Sequence, residues 1–142
     1  MAMGMETTKQ KEFDIIYSQA ENLLKTLPEY QFNTAAAMII IIGWLLTAET
    51  AQVFIHSNAK TVLPATAFAF GILAIFKIFW VRMHVNKINL CHRRLQALSE
   101  SLGLSVGSID IFKINPVITY TYYFINALMS LAIIVTVYLI CK

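Results

Sequence analysis

The sequence predicts an all-α, polytopic helical membrane protein with three transmembrane helices plus two cytoplasmic amphipathic helices. Three observations predict it. Hydrophobic residues make up 58% of the 142 residues and charged residues only 13%, whereas a soluble domain carries about 25% charged residues. The apolar residues fall into three runs of about 20 positions each, the length needed to cross ~30 Å of hydrocarbon. The charges collect in two clusters between and before those runs. Residues 1–142 therefore read as a single membrane domain.

Residues 6–29 read as the first amphipathic helix. Phe13, Ile16, Tyr17, Ala20, Leu24 and Leu27 recur at helical spacing, with Glu12, Asp14, Glu21 and Lys25 around the rest of the turn. Pro28 ends or kinks this helix, and Asn33 or Thr34 is placed to cap the next. The first span covers 34–55, which is about 33 Å of helix. It begins later than the apolar core of a secretory signal would, and is expected to be retained. A polar turn, His56 to Thr61, leads to the second span, 62–81. Pro64 falls in its first turn, where a missing N–H costs little. Lys77 and Arg82 at its end are expected to lay their stems along the helix and their heads in water.

Residues 82–102 form the second amphipathic helix, striped by Val85, Ile88, Cys91, Leu95, Leu98 and Leu102, with Gly103 as its stop. A loop over 103–115 contains Gly103 and Gly107 and closes on Asn115-Pro116, a helix start. The third span, 117–140, opens with Tyr120, Tyr122 and Tyr123, residues suited to the headgroup boundary.

Lysine and arginine placement orients the chain. Lys9, Lys11, Lys25, Arg82, Lys87, Arg93, Arg94 and Lys113 flank one side of the spans, against Lys60 and Lys142 on the other. Eight against two puts both polar segments in the cytoplasm and the C-terminus outside, in a plasma or inner membrane. Cys91 and Cys141 then lie on opposite sides and cannot pair with each other. The two polar segments differ in sign. Residues 1–32 hold five acids and three bases, and residues 82–113 five bases and two acids. Their apolar stripes and opposite charge predict that they pack together, the alternative being that either lies on the lipid surface.

The candidate intramembrane polar site comprises Glu49, Gln52 and His56 on the first span and Asn126 and Ser130 on the third. A carboxylate in lipid is a functional candidate because its charge is costly there. Glu49 and His56, seven apart, share a helix face with Gln52 beside it. The functional reading is a proton or cation site or a pore lining. The structural reading, which we favour at this point, is a snorkelling acid or a first span that ends near Ala48. Gly43 and Thr47 on the first span, and Ala67, Gly71 and Ala74 on the second, are small enough for close helix packing.

No catalytic, cofactor-binding or metal-binding motif is expected. Glu49 and His56 stand two turns, about 10 Å, apart, and zinc needs its ligands within about 2 Å of one point. Cys91 falls on an apolar stripe, which favours packing over reactivity. The formal net charge of +3 is too small to imply a nucleic-acid partner. The expected partners are the lipid bilayer and either further copies of the chain or another membrane protein. Two functions are carried forward: an accessory subunit or immunity-type inhibitor of a larger membrane partner, and a self-assembling pore-forming or membrane-disrupting effector gated by its cytoplasmic helices.

Overall fold

The computed structural model describes residues 2–104 and 109–142, with side chains from residue 7 onward. Gly107, expected in the loop after the second span, lies outside the described residues. The helices are α1 (Ala2–Thr47), α2 (Glu49–Ser57), α3 (Ala59–Leu102) and α4 (Pro116–Cys141), with a short 3-10 turn at Asp110–Phe112. Among the described residues all regular structure is helical, and α1, α3 and α4 are each long and apolar enough to cross a membrane.

Several expected boundaries differ. The first amphipathic segment and the first span form one helix: α1 continues through Pro28, and Asn33 and Thr34 lie inside it rather than capping a new one. Proline in a helix interior costs about 3 kcal/mol. Leu27 and Gln31, one turn apart on the inward face, are both buried, and packing of that face offsets the lost bond. The segments 62–81 and 82–102 are likewise one helix, α3, which starts early enough to put Pro64 in its second turn. The two amphipathic segments are thus parts of longer helices, not separate ones.

The helix of the first span, expected over 34–55 or, on the shorter reading, to end near Ala48, stops at Thr47. Ala48 is extended (φ −86°, ψ 100°) and α2 begins at Glu49. The expected turn over 56–61 shrinks to Asn58. Its N–H donates to the Phe54 carbonyl, closing α2, and its own carbonyl accepts from Thr61 and Val62 at 3.0 and 2.9 Å, opening α3.

The chain divides into two compact units. Unit 1 comprises residues 1–29 and 81–119, and unit 2 residues 30–80 and 120–142. Unit 1 is built on Ile16, Ala20, Leu95, Ile109 and Phe112, with Phe13, Tyr17, Leu24, Cys91 and Leu98 against them. The two amphipathic stripes therefore face each other within one chain. Their opposite charges do not meet: among the described residues the ion pair within 4 Å is Lys25–Glu21, inside α1. Tyr17 meets Phe112 edge-on, centroids 4.9 Å apart. Gly103 ends α3 with φ +67°. The Leu104 N–H reaches the Ser99 carbonyl and the Gly103 N–H that of Glu100, the paired bonds that close a helix through a left-handed residue.

Unit 2 is built on Met38, Leu45, Ile55, Ile133 and Val137, with Ile42, Val62, Leu63, Phe70 and Met129 packed against them. Between spanning helices lipid is as apolar as leucine, so contact dispersion and hydrogen bonds must hold this unit rather than exclusion of water. Tyr30 and Trp80 rings lie 3.9 Å apart, centroid to centroid.

Candidate functional site

Three inward stripes run through unit 2 with a period of seven: Gln31, Met38 and Leu45 on α1; Leu63, Phe70 and Lys77 on α3; Asn126 with Ile133, and Ser130 with Val137, on α4. Each stripe is apolar except at one end. Tyr30 against Trp80, and Gln31 against Asn126, show that it is the same end in all three helices. A polar layer of Gln31, Lys77, Asn126 and Ser130 therefore terminates the apolar core. All four are buried, none more than 6% exposed.

Asn126 organises the layer. Its Nδ2 donates to the Tyr122 carbonyl at 2.8 Å and to Gln31 Oε1 at 2.9 Å. A backbone carbonyl accepts only from the NH2 end of an amide, so Tyr122 fixes which way Asn126 points. That choice fixes Gln31 in turn: its oxygen faces Asn126, and its Nε2 is left buried with no hydrogen-bond partner. Ser130 Oγ, one turn along from Asn126, is buried without a partner as well. Lys77 makes no ion pair among the described residues. The residue as a whole is 6% exposed. Seven residues after Phe70 it falls on the helix face that packs inward, whereas Arg82 is exposed.

Glu49, Gln52 and His56 form a separate group on α2, and the helix break sets their roles. Without a helical Ala48, the Leu45 and Leu46 carbonyls lose the amides that would follow. Gln52 Nε2 replaces these, at 3.3 Å to Leu45 and 2.7 Å to Leu46. Glu49 is exposed in the first turn of α2 and His56 in the last, where each complements the partial charge of its helix end. His56 Nδ1 lies 3.3 Å from the Ile140 carbonyl and ties α2 to the end of α4. Asn126 and Ser130 are not brought to this group.

Gly43 and Gly71 make no close helix approach within the chain. A Cβ added at Gly43 or Gly71 would meet nothing within 4 Å. Thr47 spends its hydroxyl on the Gly43 carbonyl, 2.8 Å away on an exposed face, and Ala67, Gly71 and Ala74 are half-buried. Sequence reasoning missed Gln31 and Lys77. The seven-residue spacing from Gln31 to Met38 and Leu45, and from Lys77 back to Phe70 and Leu63, carried the signal.

Unit 1 holds a groove of about 200 Å³ between α1 and α3. Ile16, Leu23, Leu90 and Cys91 make its floor, and Lys87 and Arg94 flank it. Neither cation has an ion-pair partner among the described residues. Leu90 is 52% exposed, and Ile15 on the same side of α1 is 59% exposed. One helix turn before Lys87, burial and then the Lys87 charge hold the His84 imidazole below its usual pKa. Among the described residues no group of three or more His, Cys, Asp or Glu side chains converges. Comparison of the chain with protein-family models, curated proteins and solved structures finds no match.

Proposed function

We propose that the chain is a small integral membrane interaction protein, an accessory subunit or immunity-type inhibitor of a larger membrane partner. Its N-terminus and unit 1 lie in the cytoplasm and its C-terminus outside. The observation that carries this reading is the groove of unit 1. Apolar surface flanked by two cations that have no ion-pair partner among the described residues is the chemistry of a surface made to be covered. An acidic, amphipathic segment of the partner complements it.

The pore reading draws its lining from Asn126 and Ser130 or from Glu49, Gln52 and His56. The first two are buried inside unit 2, and Gln52 is bonded to its own main chain. That arrangement favours the interaction reading over the pore.

The test is the native mass of the assembly from gently solubilised membranes, with each co-purifying chain identified. The expected result is a stoichiometric second protein that is lost when Leu90→Glu and Arg94→Glu are combined. A closed ring of identical chains, conducting when reconstituted, would overturn the proposal. Orientation is read separately with an impermeant maleimide: Cys141 is expected to label from outside the cell and Cys91 only after lysis.

A further inference from the structure

The groove of unit 1 has a shape that narrows what covers it. Its α1 wall is Ile16, Gln19 and Leu23, and its α3 wall is Lys87, Leu90 and Arg94. Both sets step by three and then four residues, so each keeps to one helix face for two turns, about 10 Å. The groove therefore runs along both helices instead of crossing them. Its volume is about 200 Å³, whereas one turn of helix ~10 Å across and ~5.4 Å long fills about 400 Å³. It admits the side chains of a helix laid lengthwise, and not the main chain. The charges are as regular as the apolar floor. Lys87 and Arg94 stand seven residues apart on one wall, and neither has an ion-pair partner among the described residues.

We propose that the groove recognises an amphipathic helix of the partner that carries two carboxylates seven residues apart on one shoulder of its apolar face. This rests on the reading of the groove as a partner surface, and adds the pattern by which the partner is chosen. A helix laid parallel or antiparallel to α3 keeps its seven-residue repeat in step with that of α3, as aligned helices crossing at about 20° do. One acid then meets Lys87 and the next meets Arg94, while the apolar side chains between them enter beside Leu90. A second copy of this chain fits less well. Asp14 and Glu21 are seven apart on α1, but Lys25 already holds Glu21 at 2.7 Å. That leaves one carboxylate of this pair without an ion pair where the groove offers two cations.

The probe is a dye-labelled helical peptide of about 20 residues, with two glutamates seven apart beside a stripe of leucines. A control peptide of the same composition moves one glutamate by two positions, to the opposite side of the helix. Each is titrated with the full-length chain in zwitterionic lipid nanodiscs, reading peptide anisotropy. Two exposed ion pairs are together worth about 2- to 30-fold in affinity. The matched peptide is expected to bind saturably and about tenfold tighter than the control. Lys87→Glu combined with Arg94→Glu, which adds repulsion, should weaken it at least as much. Arg93→Glu changes an exposed cation outside the groove and should weaken it less than about twofold. A peptide with two lysines at the matched spacing should bind the doubly reversed chain and not the native one. No saturable binding, equal affinity for the two spacings, a charge swap without rescue, or tighter binding of a peptide of residues 8–26 of this chain would each overturn the proposal. The partner reading itself is judged separately, by the native mass of the assembly.

Discussion

Replacing Asn126 by leucine removes the donor on which the polar layer turns. In the native chain its Nδ2 serves the Tyr122 carbonyl and Gln31 Oε1. After the change the Tyr122 carbonyl keeps its place in the α4 ladder, but the Gln31 amide, already short of an acceptor at Nε2, also loses its donor at Oε1. A buried polar group left unmade costs about 1–3 kcal/mol, and N126L is expected to destabilise by that amount less whatever the leucine regains in packing. The sharper quantity is the coupling with Gln31. Q31L alone leaves Asn126 its bond to Tyr122, and the double variant leaves no stranded Gln31 amide. The pair should therefore be less destabilised than the two single changes summed. Side-chain hydrogen bonds between spanning helices couple by about 0.6 kcal/mol on average and up to about 1.7, and the shortness and burial of this one place it in the upper half. Equilibrium unfolding of the four chains in mixed micelles, followed by tryptophan emission, measures the cycle. Additivity within about 0.3 kcal/mol, the behaviour of independent sites, would refute the account of Asn126 as organiser.

Gln52→Leu should strip the Leu45 and Leu46 carbonyls of their side-chain donor and cost about 1–3 kcal/mol, seen as faster amide hydrogen exchange over Glu49–Ser57. Glu49→Gln should cost only about 0.3–1 kcal/mol through the helix end, and equal effects would contradict the roles assigned to them. Gly103→Ala should lower the stability of unit 1 by about 1–2 kcal/mol, the cost of a side chain in the left-handed region. A Cβ there meets no atom within 4 Å, so any loss of stability is a backbone effect; thermal unfolding checks it. Because His84 is held below the ordinary imidazole value of 6.5, the unfolded chain binds the proton more readily. Stability should be level above that value and decline as pH falls below it, until the folded imidazole itself titrates. His84→Gln should remove that part of the pH dependence, as followed by chemical denaturation at a series of pH values.

The sequence shows which stretches are long and apolar enough to cross a membrane, through runs such as Ile39 to Ile42 and Ile133 to Val137. It does not show where helices end. Hydropathy changes at Pro28 and at Val81, and a helix has no need to stop there, since its main-chain bonds are internal on both sides. Gly103 was legible because a left-handed residue leaves a chemical signature, and Asn58 nearly so. The break at Ala48 was legible only through Glu49, as one of two structural readings, because alanine itself is the strongest helix former and the compensating group, Gln52, sits four residues away. The polar end of the core was half legible. Asn126 and Ser130 stood out against an apolar run, whereas Gln31 and Lys77 were hidden among the polar residues that flank spans.

The connection from α1 to α3 uses only Ala48 and Asn58 outside a helix. On the proposed topology this stretch is what must be carried through the bilayer during biosynthesis. Main-chain groups cross hydrocarbon cheaply only when bonded internally. Here Gln52 covers the carbonyls opened by the break, and Asn58 closes one helix while starting the next. Few charges travel with it: Glu49 and Lys60 by formal charge. The segment is thus suited to enter as a preformed helical hairpin in one step, with α1 and α3 inserting together and α4 joining afterwards through Gln31 and Asn126.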